Sequence, residues 1–391
     1  MPRLDVLPVR TVVINLITAG VGLGLLANRR RNSPIPLREW PDGRVAPFVE
    51  IIIPARDEER NIGPLLDTLV QQCYPDGQWR VTVVDDGSTD NTSDVVAGFA
   101  RTHSNVRLVA APPLPHGWTG KNHAMHTGSL LAVPDADYLL FVDADTRHHP
   151  LMLASAVQRA QATGSALLSL IVRVVMGGFW ERLIVPEIGE LYTLLVGTMD
   201  SVNREGTISR AAANGQFLLL LPEAYRNVMA WPEIRSDVAE DRAIAAGLKS
   251  LGQIVRLEYG QDLVQARVYS SLREMWAGYS KTMFWASGHN APWAIAVSVA
   301  LLFYAFAPIL TLAGALFKHN GRERQRLLMH ALVQLLPMSV LRATVCRQVG
   351  VPPLYAGAYP LAVLVGVAIL MNSMLQVTSG RGVAWKGRLY R

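Results

Sequence analysis

The chain has 391 residues, enough for one large α/β domain plus an accessory region; half are hydrophobic and only 17% charged, which is apolar for a soluble enzyme. The net charge of +6 is uneven: ten Lys or Arg and one acid follow Ala291, and everything before it sums to −3. The basic excess therefore sits around hydrophobic segments, and no basic stripe interleaved with aromatics occurs elsewhere, which favours anionic lipid headgroups as partners and argues against nucleic acid.

Residues 11–28 form an uncharged run closed by Arg29-Arg30-Arg31. The run is long for a signal peptide and lacks a clear small-residue cleavage site, so residues 1–31 read as an uncleaved membrane anchor. The arginine triplet favours a cytoplasmic domain after it. Residues 32–47 carry Pro34, Pro36, Pro41 and Pro47 and read as a linker.

A strand is predicted over 49–53, then a helix over 61–72 from the spacing of Ile62, Leu65, Leu66 and Leu69. Strand 81–84, helix 92–101, strand 106–109, helix 120–131 and strand 138–142 follow. This alternation argues for a parallel, doubly wound sheet in an α/β domain over 48–270. Over 179–195 the apolar residues share one helical face, fitting either an interfacial helix or an ordinary amphipathic one. Residues 271–290 mix Trp276, Tyr279, Phe284 and Trp285 with Arg273 and Lys281, and fit a membrane interface better.

Residues 292–317 and 348–380 lack any charge and are long enough to span a bilayer. Residues 327–341 are short for a third span. The membrane region is thus 291–380, with two to three segments, and 381–391 is a basic tail. Three full spans after a cytoplasmic domain would put that tail (Arg381, Lys386, Arg388, Arg391) outside, against the positive-inside tendency; a re-entrant segment would resolve this. Cys73 and Cys346 lie in different parts of the chain, which argues against a disulfide framework and fits a reducing compartment.

Two acidic clusters end predicted strands: Asp85-Asp86-Gly87-Ser88-Thr89-Asp90, and Asp143-Ala144-Asp145. Carboxylates at the carboxyl ends of parallel strands line the ligand crevice of α/β sheets. Two Asp around one small residue can share a hard divalent cation, which can neutralise a diphosphate. His148 and His149 follow, either as a further ligand or as an exposed loop pair. Together with Pro54-Ala55-Arg56-Asp57-Glu58-Glu59 and Asn61, these clusters resemble glycosyltransferase family 2, inverting transferases with a GT-A fold, over about residues 49–260.

The resemblance implies roles. Pro54, Asp57 and Glu58 would lie beside the nucleotide base and ribose, and Asp86 would contact the base. Asp145, with Asp143, would hold Mg2+ or Mn2+, Asp143 otherwise touching ribose. In Gly117-Trp118-Thr119-Gly120-Lys121, which resembles enzymes of hopanoid and carotenoid glycosylation, Lys121 at a helix start would suit the diphosphate. Glu240-Asp241 resembles the acceptor-side motif, with Asp241 as base and Glu240 orienting it. Asn214-Gly215-Gln216-Phe217 resembles the sugar and acceptor floor, where only a small residue such as Gly215 lets a ligand approach the backbone. Plainer readings stay open: a solvated acidic helix start at 57–59, a surface lysine beside a packed tryptophan, and capping of a helix over 243–251 by Glu240 and Asp241.

The Gln-x-x-Arg-Trp element of processive synthases is replaced here by Ser271-Leu272-Arg273-Glu274-Met275-Trp276. The expectation is therefore a GT-A domain with an N-terminal anchor and C-terminal transmembrane helices, an integral protein of the cell membrane. It would transfer one sugar from a nucleotide-sugar donor, a UDP-hexose, to a polyprenoid lipid acceptor of carotenoid or hopanoid type. An envelope polysaccharide or undecaprenyl-type transferase is the alternative, and a non-catalytic membrane scaffold the third reading.

Overall fold

The computed structural model describes residues 9–379, 383–385 and 388–390. In chain order the elements are α1 (Val9–Arg31), β1 (Val49–Ala55), α2 (Ile62–Leu69), β2 (Trp79–Asp85), α3 (Thr92–Thr102), β3 (Val106–Ala110), α4 (Gly120–Leu130), β4 (Tyr138–Val142), β5 (Thr146–His148), α5 (Met152–Thr163), β6 (Leu167–Ile171) and β7 (Arg173–Val174). They continue with α6 (Phe179–Val196), α7 (Met199–Val202), β8 (Phe217–Leu220), α8 (Pro222–Met229), α9 (Pro232–Ser236), α10 (Glu240–Ser250), β9 (Val255–Tyr259), β10 (Val264–Ala266), α11 (Leu272–Ala286), α12 (Ala291–Leu316), α13 (Gly321–Gln348), α14 (Tyr359–Thr378), β11 (Val383–Trp385) and β12 (Arg388–Tyr390).

The chain divides into two compact units. One holds residues 32–175 and 196–268, built on a seven-stranded sheet of order β3-β2-β1-β4-β8-β6-β9. Val49, Ile51, Ile52, Ile53, Val81, Val83, Val84 and all of Tyr138–Val142 are buried, because helices cover both faces. Chain order steps outward on opposite sides of β1, to β2 and to β4, so a topological switch point lies at the carboxyl ends of these three parallel strands. Gly128 of α4 lets that helix lie on the sheet: a Cβ there would stand 2.4 Å from Ile52 Cγ2.

The alternation read from the sequence holds through β4, and the sheet is mixed beyond it. β8 runs antiparallel to both β4 and β6. Its four residues are all buried, and an unbroken apolar run looks the same in either direction. The reversal has a consequence for the site. Pairing Val142 with Phe217 brings the segment entering β8, 214–216, to the sheet edge where β4 delivers residues 143–145.

The other unit holds α1, residues 176–195, and the chain from Tyr269 through α14. Residues 176–195 fall inside the 48–270 range of the sequence reading, yet they group with this apolar unit. Among the described residues, three helices are long and apolar enough to cross a membrane: Ala291–Leu316, Gly321–Gln348 and Pro353–Thr378. The segment 327–341 is thus the middle of a 28-residue helix. Charged residues at its ends, with Arg342 inside it, shorten the apolar run that sequence alone displays. Ala294, Val297, Leu301 and Ala305 of α12 are buried within the unit, whereas Val299, Phe303 and Leu310 are exposed, as a lipid-facing side requires. Of the basic tail, Arg381, Lys386 and Arg391 lie outside the described residues; Arg388 starts β12, which pairs antiparallel with β11.

Candidate active site

The loops after β1 and β2 are laced together. Asp57 takes a left-handed backbone (φ 51°) and its Oδ1 accepts from Thr89 N at 2.8 Å, while Asp57 N donates to Ser88 Oγ at 3.0 Å. Glu58 N donates to Thr92 Oγ1 at 2.8 Å, and Glu59 N to Asp90 Oδ2 at 3.1 Å. Asp86 is buried, its N–H donating to Ala55 O at 2.8 Å, and Arg56 Nη1 stands 3.9 Å from its Oδ2. Asp57 is exposed and Pro54 half-buried at the end of β1. Asp57 and Glu58 therefore have a structural task, joining two loops, whatever else they contact. Arg56, whose Nη1 also donates to Asp86 O at 3.0 Å, joins this site through a contact that its place in the Pro54–Glu59 run does not announce.

The second cluster gathers around one lysine. Thr119 caps α4, its Oγ1 accepting from Asn122 N at 3.2 Å, and Lys121 leaves the first turn. Lys121 Nζ lies 2.7 Å from Asp143 Oδ1 and 2.7 Å from Glu240 Oε1. Asp241 Oδ2 accepts from Gly215 N at 2.9 Å, and its Oδ1 from Arg242 N at 2.7 Å. Gly215 is buried, and a Cβ on it would meet Glu240 Oε1 and Lys121 Nζ, each at 3.0 Å. Four sequence motifs far apart in the chain thus converge at the strand ends.

Asn122 explains why they converge. It is buried, and its Nδ2 reaches the carbonyls of Ile234, Arg235 and Asp237 at 2.8, 3.0 and 3.0 Å. Thr119 N donates to Arg235 O at 2.9 Å, and the Arg235 guanidinium lies 5.1 Å from the centre of the Trp118 ring. The helix start carrying Lys121 is thereby tied to the segment leading into Glu240 and Asp241. Of the Gly-Trp-Thr-Gly-Lys motif, the tryptophan packs and the lysine faces the acids. Asn122 follows that motif directly, which is the signal that could have drawn attention to it.

Crowding of acids in a half-buried site shifts their titration. Burial, then the charges of Asp143 and Glu58, push the Asp145 carboxyl up to about 7, against Lys121 and a hydrogen bond from Gln216. Burial and Glu240 push Asp241 up to about 6, against Lys121 and the N–H groups of Arg242 and Gly215. Burial raises Asp143 also, against its ion pair with Lys121. Burial works against the Lys121 ammonium as well, but Asp143 and Glu240 outweigh it and hold it above the ordinary lysine value.

A divalent cation fits this chemistry. Asp145 Oδ1 is buried and has no hydrogen-bond partner, an oxygen left over for a ligand. Among the described residues no group of three or more His, Cys, Asp or Glu makes a complete ligand set. The Asp143–Asp145 pair therefore suits a hard cation that draws further oxygens from a bound diphosphate. His148 is no exposed loop residue: it is buried in β5, its Nε2 2.9 Å from Thr146 Oγ1, and burial pushes it down to about 3. His149 Nδ1 accepts from Leu151 N at 3.1 Å.

Residues 50–214 match the family described as glycosyl transferase family 2. Two curated relatives, the 4,4'-diaponeurosporenoate glycosyltransferases of Staphylococcus aureus strains MRSA252 and USA300, are 28% and 27% identical over 344 residues, covering 87% of each chain. A solved mannosyltransferase from Pyrobaculum calidifontis, in complex with GDP-Man and Mn2+, superposes with a TM-score of 0.53 at 20% identity, over 95% of this chain and 99% of that one. That likeness carries the GT-A-type fold.

Proposed function

From the premise that this chain is a glycosyltransferase with a family 2 domain, we propose that it moves a single sugar, with inversion, from a nucleotide diphosphate donor to a polyprenoid lipid. The observation that carries the reading is the convergence on Lys121, which touches both Asp143 and Glu240 while Gly215 holds Asp241 alongside. The acceptor class comes from the S. aureus relatives, named for a carotenoid acid, and from the three apolar helices. A UDP-hexose is the expected donor.

Each residue then has a task. Asp86, beside Arg56, suits the nucleotide base, and Pro54, Asp57 and Glu58 border the base and ribose. Lys121 can turn its ammonium from Asp143 to the diphosphate, since a lysine head is a mobile point charge. A Mg2+ or Mn2+ ion on Asp145 and Asp143 would supply charge neutralisation for the departing diphosphate. Asp241 takes the proton of an acceptor hydroxyl. The acceptor oxygen's lone pair forms the bond to the anomeric carbon, and the carbon–oxygen bond to the diphosphate breaks with its electrons on the leaving group. Glu240 orients this arrangement through Lys121. The catalytic unit would face the cytoplasm, and the basic residues after Ala291 would meet anionic lipids.

The test is transfer by detergent-purified full chain, screening UDP-, GDP- and dTDP-sugars with a membrane lipid extract, read by mass spectrometry. One lipid gaining one hexose mass, lost with EDTA, is the expected result. A ladder of products would favour the envelope polysaccharide alternative, and absence of nucleotide release from every donor would overturn the reading.

A further inference from the structure

Lys121 and a divalent cation compete for the same carboxylate. The Lys121 Nζ lies 2.7 Å from Asp143 Oδ1 and 2.7 Å from Glu240 Oε1. The backbone at Gly215 closes a third side, since a Cβ there would stand 3.0 Å from the same Nζ. Asp143 is also one of the two acids suited to a hard cation. The other is Asp145, whose buried Oδ1 has no hydrogen-bond partner. Among the described residues no group of three His, Cys, Asp or Glu completes a ligand set. A divalent ion brought to this pair by itself therefore meets an ammonium already seated on one of its two carboxylates, and like charges that close disfavour each other.

The two acids that hold Lys121 are unequal. The Glu240 side chain is 8% exposed and that of Asp143 is 29% exposed. Stripping a buried carboxylate of its cation costs far more than stripping one that water reaches. A lysine head is a point charge on a flexible stem, so it can keep one partner and change the other. Glu240 is then the fixed partner and Asp143 the exchangeable one. A diphosphate oxygen can replace Asp143, because an ammonium is a donor only and needs nothing but a charged acceptor. Lys121 sits in the first turn of α4, where the helix end favours such an anion.

We propose that Lys121 guards the metal site. Paired with Asp143 it weakens the hold on a divalent cation, and it gives up Asp143 only when a diphosphate supplies other oxygens, so cation and nucleotide are taken up together. Glu240 is the pivot of this exchange. The inference rests on the nucleotide diphosphate donor proposed above and adds the coupling between that donor and the cation. Linkage requires each ligand to strengthen the other by the same factor. Part of that factor is direct, since phosphate oxygens ligate the cation. The part owed to Lys121 is read by removing its charge.

The experiment follows Mn2+ binding by electron paramagnetic resonance of the free ion, with detergent-purified full chain and no sugar present. Mn2+ is titrated alone, then with saturating UDP, GDP or dTDP, each against a protein-free blank of the same nucleotide. The parent should bind Mn2+ weakly alone and tightly with the nucleotide it accepts, and Asp145→Asn should lose that binding. Lys121→Met should bind Mn2+ alone about tenfold tighter or more, the scale on which a neighbouring charge acts, and the gain from nucleotide should shrink by about the same factor. Lys121→Gln keeps an N–H donor for the acids without the charge and should shift likewise, so the test survives a Met variant that does not fold. Arg147→Met removes a cation whose field also reaches Asp145 and should change the affinity much less. Unchanged Mn2+ affinity in the folded Lys121 variants, an equal rise in Arg147→Met, binding that persists in Asp145→Asn, or a nucleotide that binds without raising Mn2+ affinity would each overturn the inference. Failure of all three nucleotides to bind would instead overturn the donor reading on which it rests, a result that the nucleotide arm shows by itself.

Discussion

Lys121 and Arg342 occupy the same kind of position in two different solvents. Each is a cation between two carboxylates, Asp143 and Glu240 in one case, Glu190 and Glu187 in the other. The Lys121 side chain is 30% exposed at the open ends of β strands, and its head can exchange partners. Arg342 is enclosed in an apolar unit and lies over a tyrosine ring, so its planar fork is fixed. Similar ion clusters can thus serve opposite ends: under the proposed function a donor would take the wet one apart, while the dry one stays assembled.

The sharpest way to test the catalytic half of this comparison is Asp241→Asn. Transfer to a hydroxyl acceptor should fall by about 10^2 to 10^4-fold in kcat, the scale of general base catalysis, with donor KM little changed. A carboxylate acceptor arrives ionised and needs no base, so its transfer should lose far less. Equal losses for both kinds of acceptor would remove Asp241 from the role of base.

Replacing each cation tests the comparison directly. Arg342→Ala leaves the buried Glu187 and the partly exposed Glu190 unpaired, and breaking a buried pair costs about 3–5 kcal/mol, read as a lower Tm in detergent. Lys121→Ala leaves the buried Glu240 and the partly exposed Asp143 without their cation, so a smaller Tm loss should accompany a fall in kcat of about tenfold or more through lost diphosphate stabilisation. Matching Tm losses would erase the distinction.

A smaller effect comes from packing. Gly128→Ala drives a Cβ toward Ile52 Cγ2 beneath α4, and overpacking of this kind costs about 1–3 kcal/mol. Because α4 carries Lys121, kcat should fall alongside stability, measurable by denaturation and assay of one preparation. A Tm equal to that of the parent would mean the helix can lift without cost.

The gentlest perturbation is pH. Asp241 is raised to about 6, and it works as a base only when ionised, so kcat should fall as pH drops through about 6. The stability sign is opposite to that of an ordinary ion-paired carboxylate. The fold favours the neutral form, so ionisation subtracts stability above the unfolded aspartate range, fully so above about 6. Asp241→Asn should then melt higher than the parent at pH 8 and near it at pH 4. An acid limb in the ordinary aspartate range would contradict the crowding described for this site.

Much of the catalytic unit was legible because its signals are local. Strand 138–142 is observed with the same bounds, and strands 49–53 and 81–84 with two and three residues added, since buried runs bounded by turn residues mark strands plainly. The acidic clusters lie at strand ends as read. What escaped was relational. The direction of β8 is set by its partners, the burial of His148 by the pairing of β5 with β10, and the tie from Asn122 to residues 234–237 by a fold that no short window displays.

The membrane region divides in the same way. Residues 292–317 and 348–380 announced themselves through length and lack of charge, which are properties of sequence alone. The middle helix did not, because Arg342 reads as an interruption until Glu190 and Glu187 are brought to it from about 150 residues away. The motifs, the strand ends that carry acids and the two plain apolar segments can be read from sequence, because each follows from a neighbour's chemistry. Which charges neutralise which emerges once the chain is folded, because desolvation and pairing depend on what the fold places alongside.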